Sequence, residues 1–388
     1  MVPFSMRCPK CGLIQARNPT CKVCGTAVGQ AGEAAPSSGA AAPAARTVEP
    51  PPAPAPAASP LPKRPAAPSP VTAGADEARR LAFHGSGGTL FGIHTVNVLL
   101  TIVTLGIYSF WARVRTRGYL LSQTEFEGDR FAYHGTGREL FNGSLKAGLI
   151  FGLPVVLLNA APEFLGAGDA VKIAAALLIY GLFMVFLPFA MAGSRRYRLS
   201  RTSWRSIRFS FRGRVLDFVK LFIGGSLLSL VTLGAYYPIF DVRRYAFMIS
   251  HSYFGNQKFE FDGQGRDLLW SYLAAVPLSL LTLGIYWFWF LAKKQRYLMD
   301  HTSFATARFH STVTGGALCL LYLMNFILLL ATLGIAWPWV VARTTRFNYA
   351  YISLKGALDV AAIQQEAQTA SATGEGLAGF LDLDLDLG

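Results

Sequence analysis

The pentapeptide Thr104-Leu105-Gly106-Ile107-Tyr108 decides the fold of this chain, because close variants of it recur along the sequence. Each copy follows an apolar run and precedes a cluster of arginine or lysine residues. The further copies are Thr232-Leu233-Gly234-Ala235-Tyr236, Thr282-Leu283-Gly284-Ile285-Tyr286 and Thr332-Leu333-Gly334-Ile335-Ala336. A motif that returns at a spacing of about fifty residues indicates an architecture built from repeated units.

The repeated unit extends beyond this motif. It opens with an aromatic residue two positions before a glycine, as in Phe83-His84-Gly85, Tyr133-His134-Gly135, Phe211-Arg212-Gly213 and Phe261-Asp262-Gly263. The membrane domain, residues 81–356, therefore divides into five units: 83–132, 133–210, 211–260, 261–308 and 309–356. The second unit lacks the pentapeptide. It carries two long apolar runs joined by Pro162–Asp169, which predicts two full crossings of a membrane.

Composition places the chain among membrane proteins. Charged residues make up only 15% and hydrophobic residues 52% of it, with a mean hydropathy of +0.35, whereas a soluble domain carries about 25% charged residues. Apolar stretches such as Leu90–Ala112 and Ala317–Ala342 are long enough to span the ~30 Å core of a bilayer. The sequence predicts a mainly α, polytopic protein of the bacterial inner membrane. No signal peptide is visible at the N-terminus.

The net charge of +14 reflects basic residues that directly follow the apolar runs. This pattern is typical of cytoplasmic flanks that face anionic lipid, so we expect the bilayer as a partner and no specific nucleic acid. Two alternatives remain for the short units. A continuous helix with a kink gives six crossings, whereas a break gives about ten helical segments. The break keeps all basic clusters and both termini in the cytoplasm, and its hinges are Gly106, Gly234, Gly284 and Gly334.

Short stretches between the units alternate aromatic and polar residues around a turn, as in Phe126–Gly135 and Phe254–Gly263. A period of two predicts β-hairpins, which we expect to pair into a small cytoplasmic sheet. Residues 357–372 are predicted to continue as a helix. The domain 357–388 is predicted to be a partly disordered, acidic C-terminal tail.

The N-terminal module, residues 1–28, carries four cysteines as two Cys-x-x-Cys pairs: Cys8, Cys11, Cys21 and Cys24. Two such pairs supply the four thiolates of a tetrahedral zinc site, so we expect a zinc-ribbon-like module with one structural Zn²⁺. A pair of redox dithiols or disulfides is the rival interpretation. Residues 29–80 are rich in Pro and Ala, which predicts a disordered linker.

The units resemble the YjgN-like family of bacterial inner-membrane proteins, whose domain has no known function. The resemblance rests on Phe83–Gly92, on Asn97–Leu100 leading to Thr104–Ala112, and on Tyr133–Phe141. It covers about residues 81–356, and the same phrases occur in order. The resemblance implies an inner-membrane location and no established activity.

The sequence shows no enzyme motif, such as a P-loop, a nucleophile elbow or HExxH, so we expect no enzymatic activity. Polar residues inside or beside apolar runs are candidates for an intramembrane site: His94, Asn97, Asp217, Lys220 and Asp241. For each, a helix–helix hydrogen bond or an interfacial ion pair is the alternative. Two functions remain open: a small-solute transporter or channel, and a scaffold or sensor whose zinc module recruits a cytoplasmic protein partner.

Overall fold

The computed structural model describes residues 5–7, 14–16, 78–360 and 363–365, which belong to two compact units, Met1–Ser69 and Pro70–Gly388. In the first unit, β1 (Ser5–Arg7) pairs antiparallel with β2 (Ile14–Ala16). The four cysteines expected to bind zinc lie outside the described residues. The zinc module, the linker and the acidic tail therefore stay predictions.

The second unit alternates helices with short strands. Its helices are α1 (Gly87–Val103), α2 (Ser109–Ser122), α3 (Gly137–Ala147), α4 (Leu153–Phe164), α5 (Asp169–Arg201), α6 (Val215–Val231), α7 (Tyr237–Ser250), α8 (Leu269–Leu281), α9 (Trp287–Asp300), α10 (Gly315–Ala331) and α11 (Trp337–Ala350). A π-helical turn, Gly148–Gly152, joins α3 to α4, and a 3₁₀ turn, Gly265–Leu268, precedes α8.

The strands lie between successive helix pairs: β3 (Arg79–Arg80), β4 (Ala82–Phe83), β5 (Thr124–Phe126), β6 (Asp129–Tyr133), β7 (Thr202–Trp204), β8 (Ile207–Phe211), β9 (Ser252–Phe254), β10 (Gln257–Phe261), β11 (Thr302–Phe304), β12 (Ala307–Ser311) and β13 (Ile352–Lys355). The aromatic alternation between units thus forms the predicted hairpins, since β5–β6, β7–β8, β9–β10 and β11–β12 are antiparallel pairs.

Each short unit is a helical hairpin. In the first one, the Asn97 side chain of α1 reaches back to the Ala112 carbonyl of α2 at 3.3 Å, and the Tyr119 hydroxyl contacts the Ser86 backbone. These contacts require α2 to run antiparallel beside α1. The structure therefore favours the break over the kinked single helix as the geometry at Thr-Leu-Gly.

The sheet closes on itself. Residues 79–83 form one nearly continuous strand that pairs on both sides. Arg79 and Arg80 bond to β13 at one edge, and Ala82 and Phe83 bond to β5 at the other. The sequence predicts a small sheet of hairpins. The structure has instead a barrel-like ring of eleven short strands in the described part, because closure leaves no strand edge unpaired.

The helices close in the same way, since α1 packs against α11. The Phe91 and Trp339 rings lie 4.9 Å apart, and Arg346 donates to the Gly85 carbonyl at 3.0 Å. An equivalent arginine, Arg196, donates to the carbonyl of Gly213 at 2.6 Å. The same kind of arginine–carbonyl hydrogen bond therefore joins the fifth unit to the first and the second unit to the third.

The segment after β13 departs from the expected helix. Residues 357–360 and 363–365 have no helical structure, so the prediction of a helix over 357–372 is wrong for them. Gly356, with a φ of 117°, redirects the chain, and Ile363 is then buried among aromatic rings of the sheet. A helix cannot follow this path, because the Gln364 backbone pairs with Asn256 at the edge of a barrel hairpin.

Substituting the hinge glycine tests the turn. Gly284 has a φ of 87°, and no atom lies within 4 Å of the place that a Cβ would take, so the cost of a side chain there is conformational. We expect Gly284→Leu to lower the free energy of unfolding by about 1–2 kcal/mol. The measurement is thermal unfolding in detergent, with Gly92→Leu in α1 as control, which is expected to be neutral or stabilising by about 1 kcal/mol. If Gly284→Leu and Gly92→Leu unfolded at the same temperature, the backbone strain inferred at the turn would be disproved.

Candidate functional site

The turn between the helices of each hairpin pairs its own backbone groups. In the first unit, Leu105 and Gly106 have φ values of 51° and 92°. The Gly106 N–H donates to the Thr101 carbonyl at 2.7 Å. The Thr104 hydroxyl donates to the carbonyl four residues earlier at 2.7 Å and accepts the Tyr108 N–H at 2.9 Å. Backbone groups that helix ends leave unpaired are thereby satisfied locally.

The other three turns repeat this arrangement, including the threonine hydroxyl. Their leucines also have left-handed backbones, which favour glycine, and they are almost wholly exposed. Exposure is 94% for Leu105, 96% for Leu233, 93% for Leu283 and 90% for Leu333. A strained turn that presents an apolar side chain outward, with its backbone satisfied, suits a hydrocarbon environment.

Two helical segments of the second unit are long and apolar enough to cross a membrane, by length and composition. They are Gly137–Phe164, which runs through the π turn, and Asp169–Arg201. Only 11% and 22% of their most apolar windows are buried inside the protein. Apolar helices that leave most of their surface uncovered differ from the core helices of soluble proteins.

The basic clusters begin close to the hairpin tips. In α9, the apolar residues Trp287–Ala292 precede Lys293, which places this cation about 9 Å along the helix axis from the helix start. One leaflet of hydrocarbon is about 15 Å thick. The apolar start of α9 is thus shorter than one leaflet is thick.

The best-connected buried charge is Asp241 of α7, whose residue is 5% exposed. Its carboxylate contacts Arg244 at 2.6 Å on the same helix and Lys294 of α9 at 2.5 Å. The second contact joins the third unit to the fourth. Two cations around one buried carboxylate tie neighbouring hairpins together.

The interior of the barrel is apolar. Aromatic side chains at equivalent strand positions point inward and surround a cavity of about 200 Å³: Phe126, Phe131, Trp204, Phe209, Phe254, Phe259, Phe304 and Phe309. Leu358 and Ile363 of the C-terminal segment also line it. We call this space the lumen. A shared sequence signal marks it, because a basic residue precedes an inward phenylalanine in β6, β8, β10 and β12.

One cation lies in the lumen wall. Arg79 lines the cavity, and its Nε atom contacts the Glu127 carboxylate at 3.0 Å. Its Nη1 atom is buried without a hydrogen-bond partner. Ser353 lines the same cavity, and the next residue, Leu354, is the strand partner of Arg79. The lumen is therefore an almost wholly apolar cavity, and Arg79 is the one charged residue among the described residues that line it.

Comparison with models of protein families identifies the family of this chain. The model of a family described as bacterial protein of unknown function (DUF898) matches residues 78–281 and 276–380. The chain belongs to this family. The match covers every helix and strand of the second unit. No solved structure gives a significant match.

Relatives of this DUF898 chain include two proteins named inner membrane protein YjgN. That of Salmonella typhimurium is 30% identical over 174 residues, 42% of this chain and 42% of the relative. That of Escherichia coli K12 is 35% identical over 136 residues, 35% of this chain and 32% of the relative. The matched segments thus span less than half of either relative. The resemblance to YjgN-like proteins is confirmed, and the names support a bacterial inner-membrane location for this chain.

The five predicted intramembrane polar residues do not form one site in this DUF898 chain. His94 and Asn97 lie on the first hairpin, and the other three lie on the third. Asp217 and Lys220 are exposed near the start of α6, whereas Asp241 is buried in its ion pairs. Asn97 makes a bond between helices of one hairpin, as does Asn325, which donates to Thr344 at 3.1 Å.

Other titratable groups support the hairpin bases. Tyr197 donates to Glu139 at 2.7 Å, and Tyr297 donates to Asp267 at 2.5 Å. Burial and the hydrogen bond to Asp267 raise the pKa of Tyr297 to about 12, so this phenol stays protonated at neutral pH. Among the residues that the structure describes, no group of three or more His, Cys, Asp or Glu is arranged to hold a metal.

Proposed function

We propose that this chain is a multi-pass inner-membrane protein that moves or holds a small apolar solute, with the lumen as its binding site. The observation that carries the proposal is the aromatic cavity of about 200 Å³ inside the barrel at the base of the hairpins. Cavities lined by apolar side chains take apolar ligands, and one of about 150 Å³ holds benzene. The proposal involves no catalytic step.

The hairpin tips support insertion into the bilayer. Four exposed leucines lie on turns whose backbone groups are paired. Burying these leucines in hydrocarbon is therefore favourable and leaves no polar backbone group without a hydrogen bond. The first helices have 13 or 17 residues, which is short for a full crossing. We infer that these hairpins are re-entrant and that the long helices of the second unit cross the bilayer.

This arrangement returns every unit to its starting side. The barrel and the basic clusters then share one side, and the bias of basic residues assigns it to the cytoplasm. Anionic lipid headgroups would contact cations such as Lys293, which is exposed near its hairpin tip. Under the same topology both termini are cytoplasmic.

The alternative function is a membrane scaffold or sensor whose zinc module recruits a protein partner. The lumen favours the solute-handling function, because a scaffold requires no cavity at this place. Its lining is almost entirely aromatic and aliphatic, so an apolar solute is favoured over an inorganic ion.

Fluorescence quenching tests the proposal. Of the seven tryptophans, Trp204 lines the lumen and is 3% exposed. We expect ω-bromooctanol to quench protein in lipid nanodiscs with a saturable component, because the bromine atom would bind beside this indole. The control is Trp204→Phe, which should lose that component and keep the non-saturating quenching from probe in the bilayer. Superimposable curves for the two proteins would refute solute binding in the lumen.

A further inference from the structure

We propose that the segment after β13 is a lid over the lumen, and that the solute enters and leaves when this lid lifts. The segment comprises residues 356–360 and 363–365, which we call the strap. The inference rests on the proposed function, since it assigns a gate to the same binding site. Its basis is the way in which the strap is seated on the turns of two barrel hairpins.

The lumen lies toward the hairpin turns. The last residue before each turn lines it: Phe126, Trp204, Phe254 and Phe304. No described helical residue is part of its lining. Nearer the helices, Phe211 packs in a core cluster with residues of α5, α6 and α7, and the Phe261 ring lies 5.3 Å from that of Tyr245 in α7. The end of the barrel formed by the turns is therefore the shorter route between the lumen and solvent.

The strap crosses this end of the barrel. In the turn between β11 and β12, the Thr306 hydroxyl donates to the Ala357 carbonyl at 2.5 Å. In the turn between β9 and β10, the Asn256 N–H donates to the Gln364 carbonyl at 3.0 Å. Between these anchors, two aliphatic side chains of the strap line the lumen: Leu358 and Ile363. The strap thus covers part of the mouth of the lumen with apolar side chains.

One turn is shaped to receive the strap. The first turn residue of each hairpin has a left-handed backbone with a φ of 47–58°: Glu127, Arg205, Gly255 and Ala305. At Gly255, beneath the strap, a Cβ atom would lie 2.4 Å from the Gln364 carbonyl oxygen and 2.9 Å from the Ile363 side chain. Ala305 shows that alanine adopts this backbone, so the turn itself does not require glycine. The close approach of the strap does require it.

The strap can lift without opening the barrel. The ring of strands closes through β3 and β13, before the strap begins, and the described strap residues form neither helix nor strand. Its anchors are therefore a few hydrogen bonds to turns and the apolar contacts of two side chains. Segments with few backbone hydrogen bonds open locally at low cost in free energy, as a lid must.

Substituting Gly255 by alanine tests the lid. The added methyl group collides with the strap, whereas the lining of the lumen stays unchanged. Stopped-flow quenching of Trp204 by ω-bromooctanol in lipid nanodiscs gives the association and dissociation rate constants, and hydrogen exchange reports release of the strap. We expect faster exchange in the strap and a rise of about tenfold in both rate constants, with a smaller change in Kd.

The matched control is Ala305→Gly, which changes the equivalent turn by one methyl group in the opposite sense and brings no atom toward the strap. Its rate constants should equal those of the wild-type protein. A second variant, Gln365→Ala, removes the side-chain oxygen that accepts the Arg208 N–H at 2.5 Å. It leaves Gly255 in place and should accelerate probe binding and release in the same direction.

Each outcome decides one part of the proposal. If Gly255→Ala released the strap while both rate constants stayed unchanged, the strap would be a fixed wall and the lid would be disproved. Strap exchange at the wild-type rate in Gly255→Ala would overturn the seat inferred at this glycine. Absence of saturable quenching in the wild-type protein would overturn the proposed function itself, and the lid with it.

Discussion

Replacing Asp241 by asparagine is expected to cost about 3–5 kcal/mol of unfolding free energy. Asp241 is 5% exposed, and its carboxylate forms ion pairs with both Arg244 and Lys294. Removing the negative charge of Asp241 leaves the two cations close together with no carboxylate to neutralise them. Thermal unfolding in detergent measures the loss, and we expect it to abolish the stable packing between the third and fourth hairpins.

The control is Asp262→Asn, because Asp262 pairs with Arg308 at 2.9 Å while both side chains are more than half exposed. Exposed pairs contribute about 0–1 kcal/mol. A triple variant, Asp241→Leu with Arg244→Met and Lys294→Met, should recover most of the stability, since apolar groups replace the whole set. If Asp241→Asn and Asp262→Asn lost similar amounts of unfolding free energy, burial would not explain how strongly the Asp241 ion pairs stabilise the protein.

Replacing Gly315 by alanine is expected to disrupt the seam between the fourth and fifth units. A Cβ atom there would lie 2.5 Å from the Trp289 indole and 2.7 Å from the Trp289 Cα atom. Because a backbone atom is among the obstacles, rotating the side chain does not remove the clash. We expect a loss of about 1–3 kcal/mol in unfolding free energy, the usual cost of overpacking.

The neighbouring glycine provides the control. Gly316 has no atom within 4 Å of a Cβ position, so Gly316→Ala should be neutral or should stabilise the helix by up to about 1 kcal/mol. The two variants change adjacent residues of one helix by the same methyl group. If both melted at the same temperature, close packing at this seam would be disproved.

Local features of the hairpins could be predicted from the sequence. The hinge glycines stand out because the same pentapeptide recurs, and the structure gives Gly106, Gly234, Gly284 and Gly334 φ values of 86–92°. The leucine before each glycine could not be predicted to share the left-handed conformation. Leucine avoids it by propensity, and only an environment that rewards its exposure explains the choice.

The long-range features could not be predicted. Asp241 finds Lys294 in another unit, and residue spacing along one helix says nothing about such a partner. Arg79 and Leu354 are strand partners although 274 residues separate them in the sequence. The alternating aromatics predict hairpins, but closure of those hairpins into a barrel depends on the number of units and on the twist between them.

The strand that closes the barrel has a consequence for how this protein is made. Residues 79–83 leave the ribosome before the helices of all five units, whereas β13 is synthesised at the end of the fifth unit. Until then both edges of the growing sheet lack their final partners, and contacts of high sequence separation form slowly. A chain that ended before Ile352 would therefore keep a sheet with unpaired edge strands, which are prone to aggregation.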